Sequence, residues 1–187
     1  EILKVHTKGK RLAEDVDLKT IARSTAGFTG ADLSNLLNEA AILAARENRP
    51  VLAMADINEA IMKITMGPEK RSHVASRKDL KVTAIHEAGH ALAIYHLPTQ
   101  PPVRHISIVP RGQSLGATWS LPIGDTSNLT RNEMYEEIVG LLGGRVAEAL
   151  FAGDISVGAS SDIERATKLA KDMVARYGMC ERLGTVS

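Results

Sequence analysis

Two histidines, His86 and His90, stand four residues apart, with Glu87 immediately after the first. In a helix that spacing puts both rings on one face, one turn apart. Two imidazoles so placed can reach a single zinc ion at roughly 2.0–2.1 Å. Glu87 points about 100° around the helix from His86, so it misses an ion held by the histidines yet stays near enough to take a proton from a water beside it. Zinc lowers the pKa of water toward roughly 7, and a carboxylate there serves as general base in the attack on a peptide carbonyl. The His-Glu-x-x-His pattern thus points to zinc-dependent peptide hydrolysis.

Five residues can also match by chance on a surface helix. Ala84, Ile85, Ala88, Ala91, Leu92 and Ile94 make this helix apolar on most sides, which predicts burial, and a buried His-Glu-His set needs polar partners. Gly89 costs a helix interior about 1 kcal/mol relative to Ala and predicts close packing against another element. A catalytic zinc needs a third protein ligand, and His96, His105, Glu148, Asp154 and Asp162 lie downstream. His96 is too far along the same helix to share the ion, and His105 falls in an expected strand. Asp162 opens the last expected helix on the stripe shared with 166, 169 or 170, and 173. An inward carboxylate is costly unless paired or metal-bound, while dipole stabilisation at the helix start accounts for it equally well.

The elements that must position these residues are mostly helices. In residues 1–66, Asp17 can cap a short helix ending near Gly27. Thr29 and Asp32 form a capping box ahead of Leu33, Leu36, Leu37, Ala40, Ala41 and Ala44, and Asp56 opens a third helix with Ile57, Ala60, Ile61 and Ile64. Residues 67–78 are a polar linker beginning at Gly67-Pro68. From 79 a helix runs through the His-Glu pair to about 96, where Pro98, Pro101 and Pro102 end it. Strands are expected at 103–109 and 115–121 around a turn at 111–114, with a loop at 125–129. A capping box at Thr130 and Glu133 opens a helix that carries Met134, Ile138, Leu142 and Val146 and runs to about 151. A loop at 153–160 precedes a third box, Ser161 and Glu164, and a final helix that Gly178 stops. The fold class is mainly α with a small β-hairpin or sheet.

Composition narrows the function. The 187 residues carry a formal net charge of +1, which gives no electrostatic case for nucleic-acid partners. Aromatic residues make up only 3%, so the core must come from Leu, Ile, Val, Ala and Met. The single cysteine, Cys180, makes no internal disulfide, and a reducing compartment is the simpler inference. No run of about eighteen apolar residues occurs and no secretory signal opens the chain. With no initiator Met, and a stop just after a helix-ending pattern, the sequence is expected to be a piece of a longer protein, truncated at its C-terminal side.

Four stretches together resemble the peptidase domain of the FtsH family of membrane-anchored, ATP-driven zinc proteases: His86 to His90, Arg111-Gly112-Gln113-Ser114-Leu115-Gly116 through Leu121-Pro122, Leu142-Gly143-Gly144-Arg145-Val146-Ala147-Glu148, and Gly158-Ala159-Ser160-Ser161-Asp162. Gly27-Phe28-Thr29-Gly30-Ala31-Asp32-Leu33 resembles the same family's helical AAA lid. The resemblance implies a lid at 1–66, a linker at 67–78 and a zinc peptidase domain at 79–187. It implies Asp162 as third zinc ligand, although Ser161 stands where the family has Asn. It gives Glu148 a role orienting a ligand, with ligation by Glu148 itself the alternative, and places Gly30 and Ala31 near a nucleotide. It implies an edge strand at 115–121 that pairs with extended substrate; the residues alone suit an ordinary hairpin strand with Trp119 packed for its area.

For the longer protein the resemblance implies ATP as a second cofactor, unfolded or membrane-protein substrates, a homo-hexameric ring, and a membrane anchor outside this sequence, with this part on the cytoplasmic, matrix or stromal side. The sequence holds no Gly-rich phosphate loop ending in Lys-Ser/Thr, so ATP hydrolysis is not expected within it. Two other readings remain: a metal-free relative that only docks peptides or partners, and a stand-alone zinc peptidase, against which the lid-like residues 1–66 argue.

Overall fold

The computed structural model describes residues 1–70, 75–111, 114–120 and 128–185, and these form two compact units. The architecture is mainly helical with one two-stranded sheet.

The first unit, Glu1–Lys70, holds α1 (Ile2–His6), α2 (Leu18–Ser24), α3 (Gly30–Arg46) and α4 (Met54–Met66). Asp17 caps α2 by accepting from the Lys19 and Thr20 amides, and the Thr29–Asp32 capping box starts α3 as its sequence requires. Leu33, Leu36, Leu37, Ala40 and Ala44 face Ile57, Ala60 and Ile61 of α4 in a core closed by Leu3 and Ile21. α4 starts two residues before Asp56, whose carboxylate accepts from the Ala53 amide and takes the Arg49 guanidinium in a fork at 2.5 and 2.7 Å. Two features went beyond the expected helices: α1, and an isolated parallel bridge between Leu12 and Leu52.

The second unit holds α5 (Arg77–His96), β1 (Val103–Ser107), β2 (Ala117–Ser120), α6 (Arg131–Ala147) with a π-helical turn at Glu148–Ala152, a 3-10 turn at Val157–Ala159, and α7 (Ser160–Ala175). α5 and α6 touch backbone to backbone where Gly89 meets Gly143. A Cβ on Gly89 would stand 2.5 Å from the Gly143 carbonyl oxygen and 2.5 Å from the Ala147 Cβ, the close approach that a glycine inside a helix predicts. Glu136 ties the end of α5 to α6, accepting from the Thr99 amide at 2.9 Å, from the Thr99 hydroxyl, and from Asn132 Nδ2 at 2.8 Å. β1 and β2 pair antiparallel in the register His105 with Trp119, Ile106 with Thr118 and Ser107 with Ala117, and the hairpin packs on α5. Arg111 and Ser114 bond to each other across the expected turn, whose Gly112 and Gln113 lie outside the described residues. So does most of the loop expected at 125–129.

Local expectations at α5 and at Ser161 are corrected. α5 is not buried by an apolar surround: Leu92 and Tyr95 are exposed, and its only buried residues are His86, Glu87 and His90. The buried side of α6 is Met134, Glu136, Gly140, Gly144 and Ala147, with Val146 exposed. Small residues let the helices close, so polar side chains occupy the interior. Ser161 does not cap α7, because the 3-10 turn runs directly into the helix and leaves Ser161 inside its first turn. Ser156 instead caps the 3-10 turn at the Gly158 amide.

Candidate metal centre

Each turn of α5 between residues 86 and 90 presents one imidazole to the same point beneath α6 and α7. His90 Nδ1 lies 2.8 Å from the carbonyl oxygen of Gly140, which can only accept, so Nδ1 carries the proton. His86 Nδ1 likewise donates to Glu148 Oε1 at 2.7 Å. In the neutral rings both second nitrogens are then bare acceptors, and they converge: His86 Nε2 and His90 Nε2 are 2.9 Å apart. Asp162 Oδ2 joins them at 3.3 and 3.4 Å. Three lone-pair donors facing one another in a largely buried pocket repel unless a cation or a proton lies between them.

The spacing fits zinc. Bonds of roughly 2.0–2.1 Å in tetrahedral geometry separate neighbouring donors by about 3.3 Å, close to the distances of both imidazoles from Asp162. Two nitrogens and a carboxylate oxygen are a common zinc donor set. Among the described residues, His86, His90 and Asp162 are the only group of three or more His, Cys, Asp or Glu so arranged.

The local field agrees. Burial, the largest single influence on His86, works against its charged form, yet Asp162 and Glu148 together outweigh it and hold the His86 pKa above its ordinary value. Burial pushes the Asp162 carboxyl up, but the His86 and His90 rings beside it hold it well below the usual carboxylate range. Glu148, fully buried on the π-helical turn, spends its second oxygen on the Ser156 amide at 2.7 Å. Glu148 therefore grips the outer nitrogen of His86 and a loop amide, and supplies no atom to the three-donor cluster.

Glu87 also stays outside the cluster. It is buried, and Thr118 on β2 donates its hydroxyl to Oε2 at 2.7 Å. Of the other candidates, His96 ends α5, His105 pairs with Trp119 in the hairpin, and Asp154 accepts from the Ile155 amide; none joins the cluster. Asp162 does face inward, on the side of α7 shared with the buried Ala166. Gly30 and Ala31 begin α3 in the first unit.

The reading of single residues missed Thr118 and Gly144. A Cβ on Gly144 would come within 2.6 Å of His90 Nε2 and 2.7 Å of His86 Nε2, so the absent side chain is what leaves room at the cluster. Its signal was present in the paired glycines 143 and 144 inside a helix, which helix propensity alone disfavours.

A mainly helical unit with His-Glu-x-x-His on one helix and an aspartate at the start of another defines a zinc metallopeptidase class. Comparison with known proteins fixes the lineage: residues 73–187 match peptidase family M41, to which the chain belongs, and residues 15–59 match the AAA+ lid domain. Similar curated proteins include the ATP-dependent zinc metalloprotease FtsH of Caldicellulosiruptor bescii, 55% identical over the whole chain and 30% of the relative. ATP-dependent zinc metalloprotease FtsH 1 of a Thermoanaerobacter species is 54% identical, and FtsH of Rubrobacter xylanophilus 52%, each again over the whole chain. The chain thus spans about 30% of the length of these relatives. Among the described residues no helix is long and apolar enough to cross a membrane.

Proposed function

We propose that the chain is the zinc endopeptidase part, preceded by the AAA lid, of an ATP-dependent protease. His86, His90 and Asp162 hold the zinc, Glu148 orients His86, and Glu87 is the general base. The observation carrying this reading is the convergence of His86 Nε2, His90 Nε2 and Asp162 Oδ2 within 2.9–3.4 Å. Zinc, when bound, acts as a Lewis acid that makes water nucleophilic near neutral pH. Glu87 accepts the proton of the attacking water and returns it to the departing amine as the carbon–nitrogen bond breaks. Glu148 and the Gly140 carbonyl keep both imidazoles in the tautomer that turns Nε2 inward.

The division into lid at 1–66, linker at 67–78 and peptidase at 79–187 belongs to the same proposal, supported by the two matched regions. So do nucleotide contact at Gly30 and Ala31, a hexameric ring, membrane anchoring, and unfolded or membrane-protein substrates. A metal-free docking module is the less favoured reading, because three donor atoms at zinc-ligand spacing would then have no metal to hold. The test is metal analysis and cleavage of unfolded casein by the parent and by Glu87→Gln. The variant should keep about one zinc per chain and lose cleavage; loss of zinc would make Glu87 a ligand and overturn its assignment as base.

A further inference from the structure

We infer that Thr118 is a positioning residue for Glu87, and that strand β2 holds the proton-accepting carboxylate in place. Thr118 Oγ1 lies 2.7 Å from Glu87 Oε2 and 3.0 Å from the Glu87 carbonyl oxygen. A hydroxyl has one hydrogen to give, and a short bond to a carboxylate is about twice as strong as one to a neutral acceptor. The proton therefore goes to Oε2.

The other oxygen lies against the chain just before the strand. Gly116 lies two residues before Thr118, and a Cβ on it would stand 2.8 Å from Glu87 Oε1, 2.8 Å from the Ser107 carbonyl oxygen and 2.8 Å from Thr83 Cγ2. Thr118 on β2 grips Oε2, and Gly116, just before the strand, leaves the space that Oε1 needs. Among the described residues Oε1 accepts no hydrogen bond, so it is the oxygen left to receive a proton, while Oε2 is fixed. A glutamate has three side-chain torsions, and an untethered one loses rotamer freedom each time it reaches its working position. The Thr118 bond sets that position before substrate arrives.

This inference rests on Glu87 being the base of a zinc peptidase. Its test uses the zinc-loaded full protein with a fluorogenic peptide, in the parent, Thr118→Val and Thr118→Ser. Val keeps the shape and removes the donor; kcat should fall roughly 10-fold, as for lost orienting contacts, with KM within about twofold and zinc content unchanged. Ser keeps the donor and should hold parental kcat. In a Glu87→Gln background, Thr118→Val should lower residual activity no further. A crystal structure of Thr118→Val should show the Glu87 carboxylate turned from its parental rotamer.

Parental kcat in the Val variant, loss of activity in the Ser variant, or an unmoved Glu87 carboxylate overturns the inference. If the parent itself shows no chelator-sensitive cleavage, the proposed function fails instead, and the Glu87 rotamer still decides whether Thr118 positions it.

Discussion

His86 and Glu148, 62 positions apart, meet through a 2.7 Å bond between Nδ1 and Oε1, with the carboxylate almost completely buried. The bond orders the site by dividing labour between two acids. Glu148 faces the outer nitrogen of His86 and Asp162 faces the inner one. Of two carboxylates on one imidazole, only the second can share a metal with it.

That division predicts different losses. Asp162→Asn removes charge at the donor cluster while keeping size, and should weaken zinc more than any change at Glu148. Glu148→Gln leaves the three donors and should lose roughly 10–100-fold in zinc affinity or activity. Competition with a chelator measures both. Parental zinc binding in Asp162→Asn, together with loss in Glu148→Gln, would make Glu148 the ligand.

In the first unit the buried Asp56 is bound by the Arg49 fork. The Arg49 hydrogen bonds hold its carboxyl below the ordinary value against the opposing effect of burial. Because the folded pKa is depressed, the stabilisation is complete above the unfolded value of about 3.9 and is lost as pH falls through the folded one. Asp56→Asn should destabilise α3 and α4 by about 1–3 kcal/mol at pH 7, and the difference from the parent should shrink toward pH 3. Amide hydrogen exchange in α3 and α4 at several pH values is the measurement; an equal difference throughout would rule the ion pair out as its source.

Local rules were enough where the physics is local. The Thr29–Asp32 and Thr130–Glu133 boxes start α3 and α6 because a cap needs only its own turn, and His86 and His90 share a face because helical spacing alone decides that. The apolar pattern does not mark the buried faces of α5 and α6. Periodicity finds where apolar side chains recur, but here Gly89, Gly143 and Gly144 bring two backbones together, and the interior fills with His86, Glu87, His90, Glu136 and Glu148. The bond of Thr118 to Glu87 spans 31 positions and depends on where the hairpin lands on α5. The Ser161–Glu164 spacing matches a capping box, but the preceding 3-10 turn already begins the helix.

Gly144 tests how much of the site is empty space. Its missing side chain faces both metal-directed nitrogens, and a Cβ would sit 2.6–2.7 Å from them, nearer than real Cβ contacts come. The rings cannot retreat far, since His86 is tied to Glu148 and His90 to the Gly140 carbonyl. Gly144→Ala also raises helix propensity by about 1 kcal/mol, so α6 should remain folded and the injury should fall on the metal. We expect zinc affinity to drop at least about 10-fold, on the scale of losses when a ligand's orientation is disturbed, with the circular dichroism of the helices preserved. Cobalt substitution gives an independent readout, because a displaced imidazole changes the visible spectrum of a tetrahedral site. Parental zinc affinity in Gly144→Ala would mean that α6 can move away from α5 at this point, and that the Gly89–Gly143 contact does not fix the spacing of the two helices.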